Sequence, residues 1–120
     1  MTDFRDVLAL EALPEGRVMT VRVDGHVIGL ARIADTAHAF QSLCPHDKAS
    51  LQDGKVDGCQ VHCPRHFARF DLKSGKVSAG WRVDDLRLYP VRLRDGRIEV
   101  DADALRRQPP EGPKKVWDFT

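Results

Sequence analysis

Two short motifs constrain this chain more than any other feature. The first is Cys44-Pro45-His46 and the second is Cys63-Pro64-Arg65-His66, with sixteen residues between His46 and Cys63. Each motif offers one thiolate and one imidazole on a stretch that a proline stiffens. Two soft sulfur donors and two nitrogen donors suit a [2Fe–2S] cluster in which one iron takes both cysteines and the other takes both histidines. The motifs therefore predict a metal centre built from two turns.

Structural zinc is the alternative that the same donors leave open, because Zn²⁺ also binds two Cys and two His in a tetrahedron. Finger-like zinc sites usually carry two Cys on one turn and two His on the other. Here each turn carries one of each, which favours the iron–sulfur cluster.

The two motifs and the sequence after them resemble the Rieske ferredoxins, the small soluble electron carriers of bacterial aromatic-ring oxygenase systems. The further matching stretches are Phe70-Asp71, Ser74-Gly75-Lys76 and Tyr89-Pro90-Val91. The resemblance runs from about Phe4 to Asp101. It implies an all-β Rieske fold of antiparallel sheets packed as a sandwich, with a cluster-binding subdomain of two loops.

The resemblance also implies one [2Fe–2S] cluster per chain and assigns its ligands. Cys44 and Cys63 would bind the inner iron, and His46 and His66 would bind the outer, more exposed iron. The chain would be an electron-transfer component and not an enzyme by itself. It would take single electrons from an NAD(P)H-dependent flavoprotein ferredoxin reductase and pass them to a terminal oxygenase.

Both partners would dock transiently near His46 and His66, because electron-transfer contacts are small. Lys48 and Arg65 would either favour an acidic docking surface or be ordinary solvated charges. Two other hypotheses stay open. One is a small Rieske subunit held permanently in a reductase, such as nitrite reductase, and the other is a zinc-stabilised interaction module with no redox role.

The residues around the second motif predict a low reduction potential. High-potential relatives carry an extra Cys in each turn and a Ser and a Tyr after the second His. The corresponding positions here lie in Asp47-Lys48-Ala49 and at Arg65, and then at Ala68 and Phe70. Without those hydroxyls to donate to the cluster, we expect a potential at the low end of the roughly −150 to +300 mV Rieske range.

Composition narrows the choice of partners. The chain has 120 residues, 19 basic and 18 acidic, with a formal net charge of +1. That balance gives no reason to expect nucleic acid or an anionic membrane as a partner. The first residues contain acids where a secretory signal would be basic, no apolar run could span a membrane, and Cys59 is left without a partner cysteine. We therefore expect a cytoplasmic protein.

Turn signals divide the chain into strands. Asp24-Gly25 and Asp95-Gly96 each separate two β-branched or alternating runs and predict hairpins. Leu86 to Leu93 alternates like a half-buried strand, with an edge or a bulge expected at Pro90. The other predicted strands are Phe4–Leu10, Val18–Val23, His26–Leu30, Ala37–Ser42, Cys59–His62, Phe67–Leu72, Lys76–Ser78 and Arg97–Val100.

The chain divides at about residue 101. Residues 1–101 form the Rieske [2Fe–2S] domain, and residues 102–120 form a short helix and a tail. Asp101 is the predicted N-cap of that helix. Trp117 and Phe119 in the tail would either pack back on the domain or anchor a partner.

The remaining metal-binding or aromatic residues have modest predicted roles. His26 and His38 are expected at the surface, Cys59 is expected to be a buried apolar residue, and His62 should point away from Cys63. The spare histidines do not form a convincing mononuclear iron site. Trp81, in the stretch where many relatives have a covering loop, would either shield the cluster or belong to the core.

Overall fold

The computed structural model describes residues 2–43, 50–63, 68–78 and 85–110. Antiparallel strands dominate these ranges, so the predicted all-β class is confirmed. The strands are β1 Phe4–Ala9, β2 Val18–Val23, β3 His26–Ile33, β4 Thr36–Gln41, β5 Val56–Asp57, β6 Gln60–His62, β7 Arg69–Asp71, β8 Leu88–Tyr89, β9 Val91–Arg94 and β10 Arg97–Asp101. The helix α1 covers Ala102–Arg107, and 3₁₀ turns cover Leu10–Ala12 and Leu51–Asp53.

The strands form three sheets. A four-stranded sheet has the order β2-β3-β4-β8, and two three-stranded sheets have the orders β1-β10-β9 and β5-β6-β7. Both Asp-Gly hairpins are confirmed, between β2 and β3 and between β9 and β10. Their turn residues have positive φ, 52° and 83° at Asp24 and Gly25 and 53° and 76° at Asp95 and Gly96, which is the primed-turn geometry that Asp-Gly favours.

The four-stranded sheet lies between two hydrophobic cores, and the period of two along each strand separates them. On β3, Ile28 and Leu30 face the first core, whereas Ala31 faces the second. On β4, Ala39 faces the first core and Phe40 the second. The central sheet is therefore buried on both faces.

The first core joins the central sheet to the β1-β10-β9 sheet and to α1. Ile98 and Val100 enter it from β10, and Ala102 and Leu105 enter it from α1, all fully buried. The predicted N-cap is present: one carboxylate oxygen of Asp101 accepts from the backbone N–H of Asp103 at 3.0 Å. The helix thus packs into the same core as the strand before it.

The second core joins the central sheet to the β5-β6-β7 sheet. Its fully or nearly fully buried members from outside the central sheet include Leu51, Val61, Cys63, Phe70 and Leu72. Cys63 is therefore rooted in the same apolar cluster that attaches the small sheet to the rest of the chain.

The stretch around Pro90 differs from the single strand that its alternation predicts. β8 pairs with β4 in the central sheet, whereas β9 pairs with β10 in the neighbouring sheet. Pro90 has no N–H to donate to a ladder, and its carbonyl accepts from Asp101 N–H at 3.1 Å. The chain changes sheets at this residue, so the expected bulge is a crossing between sheets.

The structure contains two short elements that the sequence did not predict. The residues around Val56 form the short strand β5, and the stretch after Ser50 forms a 3₁₀ turn in which the Ser50 hydroxyl accepts from the backbone N–H of Gln52. No helix in the described ranges is long and apolar enough to cross a membrane.

Candidate metal centre

The second ligand segment, residues 63–66, begins where strand β6 ends. Cys63 is 1% exposed and forms no disulfide with another cysteine of the described ranges. Its backbone N–H donates to the carbonyl of Ala68 at 2.8 Å, which continues the β6–β7 hairpin by one more bond. Strands β6 and β7 therefore pair on either side of this segment, and His66 itself lies outside the described residues.

A close approach of two backbones supports the same hairpin. A methyl group added to Gly54 would lie 2.0 Å from the carbonyl oxygen of His62, a separation that no side chain tolerates. The N–H of His62 donates to the carbonyl of Lys55 at 2.8 Å. The strand that delivers Cys63 thus requires glycine at position 54.

The first ligand segment, residues 44–49, follows strand β4. Leu43 and Ser50, on either side of it, form an antiparallel bridge, and the N–H of Leu51 donates to the carbonyl of Ser42 at 2.9 Å. Cys44, His46 and Lys48 lie between these residues, outside the described ranges. Because Leu51 and Cys63 belong to the same core, the two ligand segments start from one packed unit.

Residues 79–84, which include Trp81, form a third segment outside the described ranges. It lies between Ser78, whose N–H donates to Arg69 O at 2.7 Å, and Leu86, whose N–H donates to Gly75 O at 2.7 Å. Gly75 has φ of 79°, and an added methyl group would lie 2.3 Å from the Leu86 carbonyl oxygen. The described residues on either side of the third segment, Ser78 and Leu86, are therefore bonded to β7 and to the turn that follows it.

The surroundings of Cys63 fit a cluster ligand. Ala68 and Phe70 are buried beside it in the second core, with 1% and 0% exposure, and neither carries a hydroxyl. A thiolate in such an apolar site is unfavourable unless a cation binds it. A cluster iron supplies that cation, and one imidazole and one thiolate from each ligand segment complete the donor set of the predicted centre.

The described residues alone hold no cluster of three or more His, Cys, Asp or Glu side chains placed to bind a metal. Three of the four predicted ligands, Cys44, His46 and His66, lie outside these ranges, as does Arg65. Cys59 is half-buried and packs against the second core. Its apolar surroundings agree with the prediction, whereas the expected full burial is not observed.

His62 lies on the other side of β6 from Cys63. Val61 and Cys63 are buried in the second core, whereas His62 between them is half-buried. Its Nε2 atom is buried and has no hydrogen-bond partner among the described residues. The alternation confirms that His62 points away from the predicted ligand.

The surface position expected for His38 is wrong. His38 lies on the second-core face of β4, is half-buried and hydrogen-bonds to the backbone of Leu72. Burial lowers the pKa of His38 and is the largest of the effects on it. The charge of Lys73 also lowers this pKa, whereas the hydrogen bond to Leu72 and the charge of Asp71 raise it. His26, at the start of β3, is also half-buried.

Comparison with known proteins decides the family. The model of the Rieske [2Fe-2S] domain matches residues 3–90. The chain belongs to the Rieske [2Fe-2S] family. Its cofactor is a [2Fe–2S] cluster, as the motifs predicted, and not the structural zinc that was the alternative.

Individual Rieske proteins resemble the chain over most of their length. The ferredoxin component of the naphthalene 1,2-dioxygenase system of Pseudomonas aeruginosa is 32% identical over 80% of this chain and 92% of its own. A chain in the complex of reduced oxygenase and oxidised ferredoxin of carbazole 1,9a-dioxygenase matches with a TM-score of 0.72 and 27% identity, over 80% of this chain and 99% of that one. A protein assigned as the small subunit of an NADH-dependent nitrite reductase from Mycobacterium tuberculosis matches with a TM-score of 0.74 and 28% identity, over 83% and 95%.

Proposed function

We propose that this protein carries single electrons on a [2Fe–2S] cluster bound by Cys44, His46, Cys63 and His66. The observation that carries the proposal is the shared base of the two ligand segments. The bridge between Leu43 and Ser50 and the bond from Cys63 to Ala68 close both segments. The curated relatives that match over most of their length are ferredoxin components of dioxygenase systems.

The cluster, when bound, supplies one-electron redox chemistry. The chain contributes a buried thiolate at Cys63, an apolar wall from Ala68 and Phe70, and a rigid sheet beneath them. Cys44 and Cys63 would hold the inner iron, and His46 and His66 would hold the outer iron at the surface where partners dock.

The residues described beside Cys63 favour a low reduction potential of the cluster. Two ferric ions, two sulfides, two thiolates and two neutral imidazoles sum to a charge of about zero, so the first added electron meets little repulsion. Hydrogen bonds to the sulfurs would raise the potential further. Ala68 and Phe70, at the positions next to the second ligand segment, have no hydroxyl to donate. We propose a potential at the low end of the roughly −150 to +300 mV Rieske range.

The electron donor in this proposal is an NAD(P)H-dependent flavoprotein reductase, and the acceptor is a terminal oxygenase. Each would dock transiently over His46 and His66, and we place the carrier in the cytoplasm with both. Residues 1–101 would form the carrier domain, with residues 102–120 following it.

The likeness to the nitrite reductase small subunit supports a second candidate, a Rieske subunit held permanently in a reductase. The two functions differ in what binds the chain. A carrier purifies free of its partners, whereas a permanent subunit purifies in a stable complex with a larger flavoprotein.

Stopped-flow mixing tests the carrier. The reduced protein is mixed with the oxidised oxygenase component of a dioxygenase system, and the oxidised protein with NADH and the reductase component of the same system. We expect electron transfer in both mixtures. Its rate should fall as salt is added, because salt screens the charges that steer transient encounters. A protein that exchanges electrons with neither component and purifies in a stable complex would contradict the carrier.

A further inference from the structure

Gln41 is a buried polar residue at the end of strand β4, with 7% exposure. Its side-chain amide nitrogen Nε2 donates to the carbonyl of Leu43 at 2.8 Å. Its side-chain oxygen Oε1 accepts from the backbone N–H of Arg87 at 2.7 Å. Both polar atoms of the amide are thus bonded to backbone.

These bonds begin where the ladder between β4 and β8 ends. The register of that ladder pairs Ala39 with Tyr89 and Phe40 with Leu88. At the next step the backbone N–H of Gln41 donates to the Arg87 carbonyl at 3.0 Å, whereas the Arg87 N–H turns to the Gln41 side chain. The side chain therefore extends the connection between two strands beyond their backbone pairing.

The two ends of this connection lead to the metal centre. Leu43 directly precedes Cys44, and Arg87 lies three residues after the third segment, residues 79–84. The Leu43 carbonyl belongs to the peptide unit that joins Leu43 to Cys44, and a peptide unit is planar. A bond that fixes this carbonyl therefore restrains the backbone of the first ligand segment at its first residue.

We propose that Gln41 is a positioning residue of the cluster site, which holds the Leu43–Cys44 peptide at a fixed distance from the strand that follows the third segment. The inference rests on the proposed role of Cys44 as a ligand. The geometry requires a donor and an acceptor on one side chain of this length. Glutamate keeps the acceptor and loses the donor, and leucine loses both.

The consequence is spectroscopic. The potential and electronic structure of a cluster depend on the hydrogen bonds and solvent exposure around its sulfurs. Without the two side-chain bonds of Gln41, the carbonyl of Leu43 is less restrained, and we expect the cluster to occupy a broader range of environments.

The test compares Gln41→Leu and Gln41→Glu with Ser42→Ala. Ser42 is the matched control, because it is equally buried at 7% and its hydroxyl donates at 3.3 Å to Val27 on β3, away from Arg87. Three quantities are measured on the loaded proteins: hydrogen exchange of the Arg87 amide, the line widths of the EPR spectrum of the reduced cluster, and the midpoint potential.

We expect Gln41→Leu to exchange the Arg87 amide about tenfold faster, to broaden the EPR lines and to shift the midpoint potential. Gln41→Glu should keep the Arg87 amide protected and still broaden the lines, because the bond to Leu43 is lost. Ser42→Ala should leave all three quantities as in the wild type, even where it lowers the melting temperature.

Unchanged line widths and midpoint potential in Gln41→Leu would overturn the inference, as would the same changes in Ser42→Ala. A wild-type protein that binds no iron and sulfide would instead overturn the proposed function, and this inference with it. The two failures are distinguished by the iron and sulfide content of the wild type.

Discussion

The backbone N–H of Cys63 donates a 2.8 Å hydrogen bond to the carbonyl oxygen of Ala68. This bond closes the β6–β7 hairpin around the second ligand segment and holds a predicted iron ligand at the edge of the second core. The ligand is thus built on a sheet that packs against the central strands, and a site on rigid elements keeps its geometry when the oxidation state changes.

Replacing Cys63 tests its assignment as a ligand. We expect Cys63→Ser to lower the cluster content severely, because a hydroxyl is a much harder, weaker ligand for this cluster than a thiolate. The matched control is Cys59→Ser, which alters the other cysteine of the described residues. It should keep about two irons and two sulfides per chain. Equal loss of iron from both variants would refute the distinction between the two cysteines.

A hydroxyl beside the cluster should raise the potential. Ala68 is 1% exposed and lies two residues after His66, the last residue of the second ligand segment. If the hydroxyl of an Ala68→Ser variant donates to a cluster sulfur, a net hydrogen-bond energy of about 0.5–1.5 kcal/mol corresponds to a rise of about 20–65 mV for one electron. Potentiometric titration measures it. Ala68→Val, which adds bulk and no donor, is the control, and an equal rise in that variant would exclude the hydrogen bond as the cause.

The pH dependence of stability should report His38. Because burial lowers its pKa in the folded protein, the unfolded chain takes up the proton first as the pH falls through about 6.5. This earlier proton uptake by the unfolded chain lowers the free energy of unfolding as the pH falls from about 6.5 to the pKa of His38 in the folded protein. Below that pKa the loss stays constant. Urea unfolding at pH 7.5 and 5.5 should show a smaller loss in His38→Gln than in the wild type. An identical loss in both proteins would show that His38 titrates alike in the two states.

Gly75 should be far less replaceable than Gly58. Both have positive φ, 79° and 61°, which costs an alanine about 1–2 kcal/mol at either position. At Gly75 the added methyl group also meets the Leu86 carbonyl at 2.3 Å, whereas nothing lies within 4 Å at Gly58. Thermal unfolding should therefore show a clearly larger loss for Gly75→Ala than for Gly58→Ala. Equal losses would mean that the approach of Leu86 to the turn is not maintained in solution.

The cap of α1 should contribute to the stability of the whole domain. The same Asp101 oxygen that caps the helix accepts from the backbone N–H of Asp3 at 2.9 Å. Asp101→Ala should lower the free energy of unfolding by about 1–3 kcal/mol, since both donors lose their acceptor in a buried position. Asp101→Asn keeps an acceptor there and should recover most of that loss, as measured by denaturant unfolding. An alanine variant as stable as the asparagine variant would show that the shared oxygen adds nothing.

The local parts of the fold were predictable because their causes are local. Asp24-Gly25 and Asp95-Gly96 select the turns that join twisted strands, and alternation along β4 separates its two faces. Cys44 and Cys63 were predicted as ligands from donor chemistry, from motif spacing and from the resemblance to the Rieske ferredoxins, and this assignment stays a prediction.

The missed features depend on contacts between distant residues. The change of sheet at Pro90 follows from what β8 and β9 pair with, which the alternation of Leu86 to Leu93 does not contain. His38 is half-buried and hydrogen-bonds to the backbone of Leu72, which lies far along the chain. Gln41 had one usable signal, an amide at the end of an apolar strand directly before the first motif.

The cluster is tested most directly by a visible spectrum of the purified protein before and after dithionite, with iron, sulfide and zinc assayed on the same sample. We expect a red-brown protein with about two irons and two sulfides per chain whose colour bleaches on reduction. A colourless protein with about one zinc per chain would contradict it.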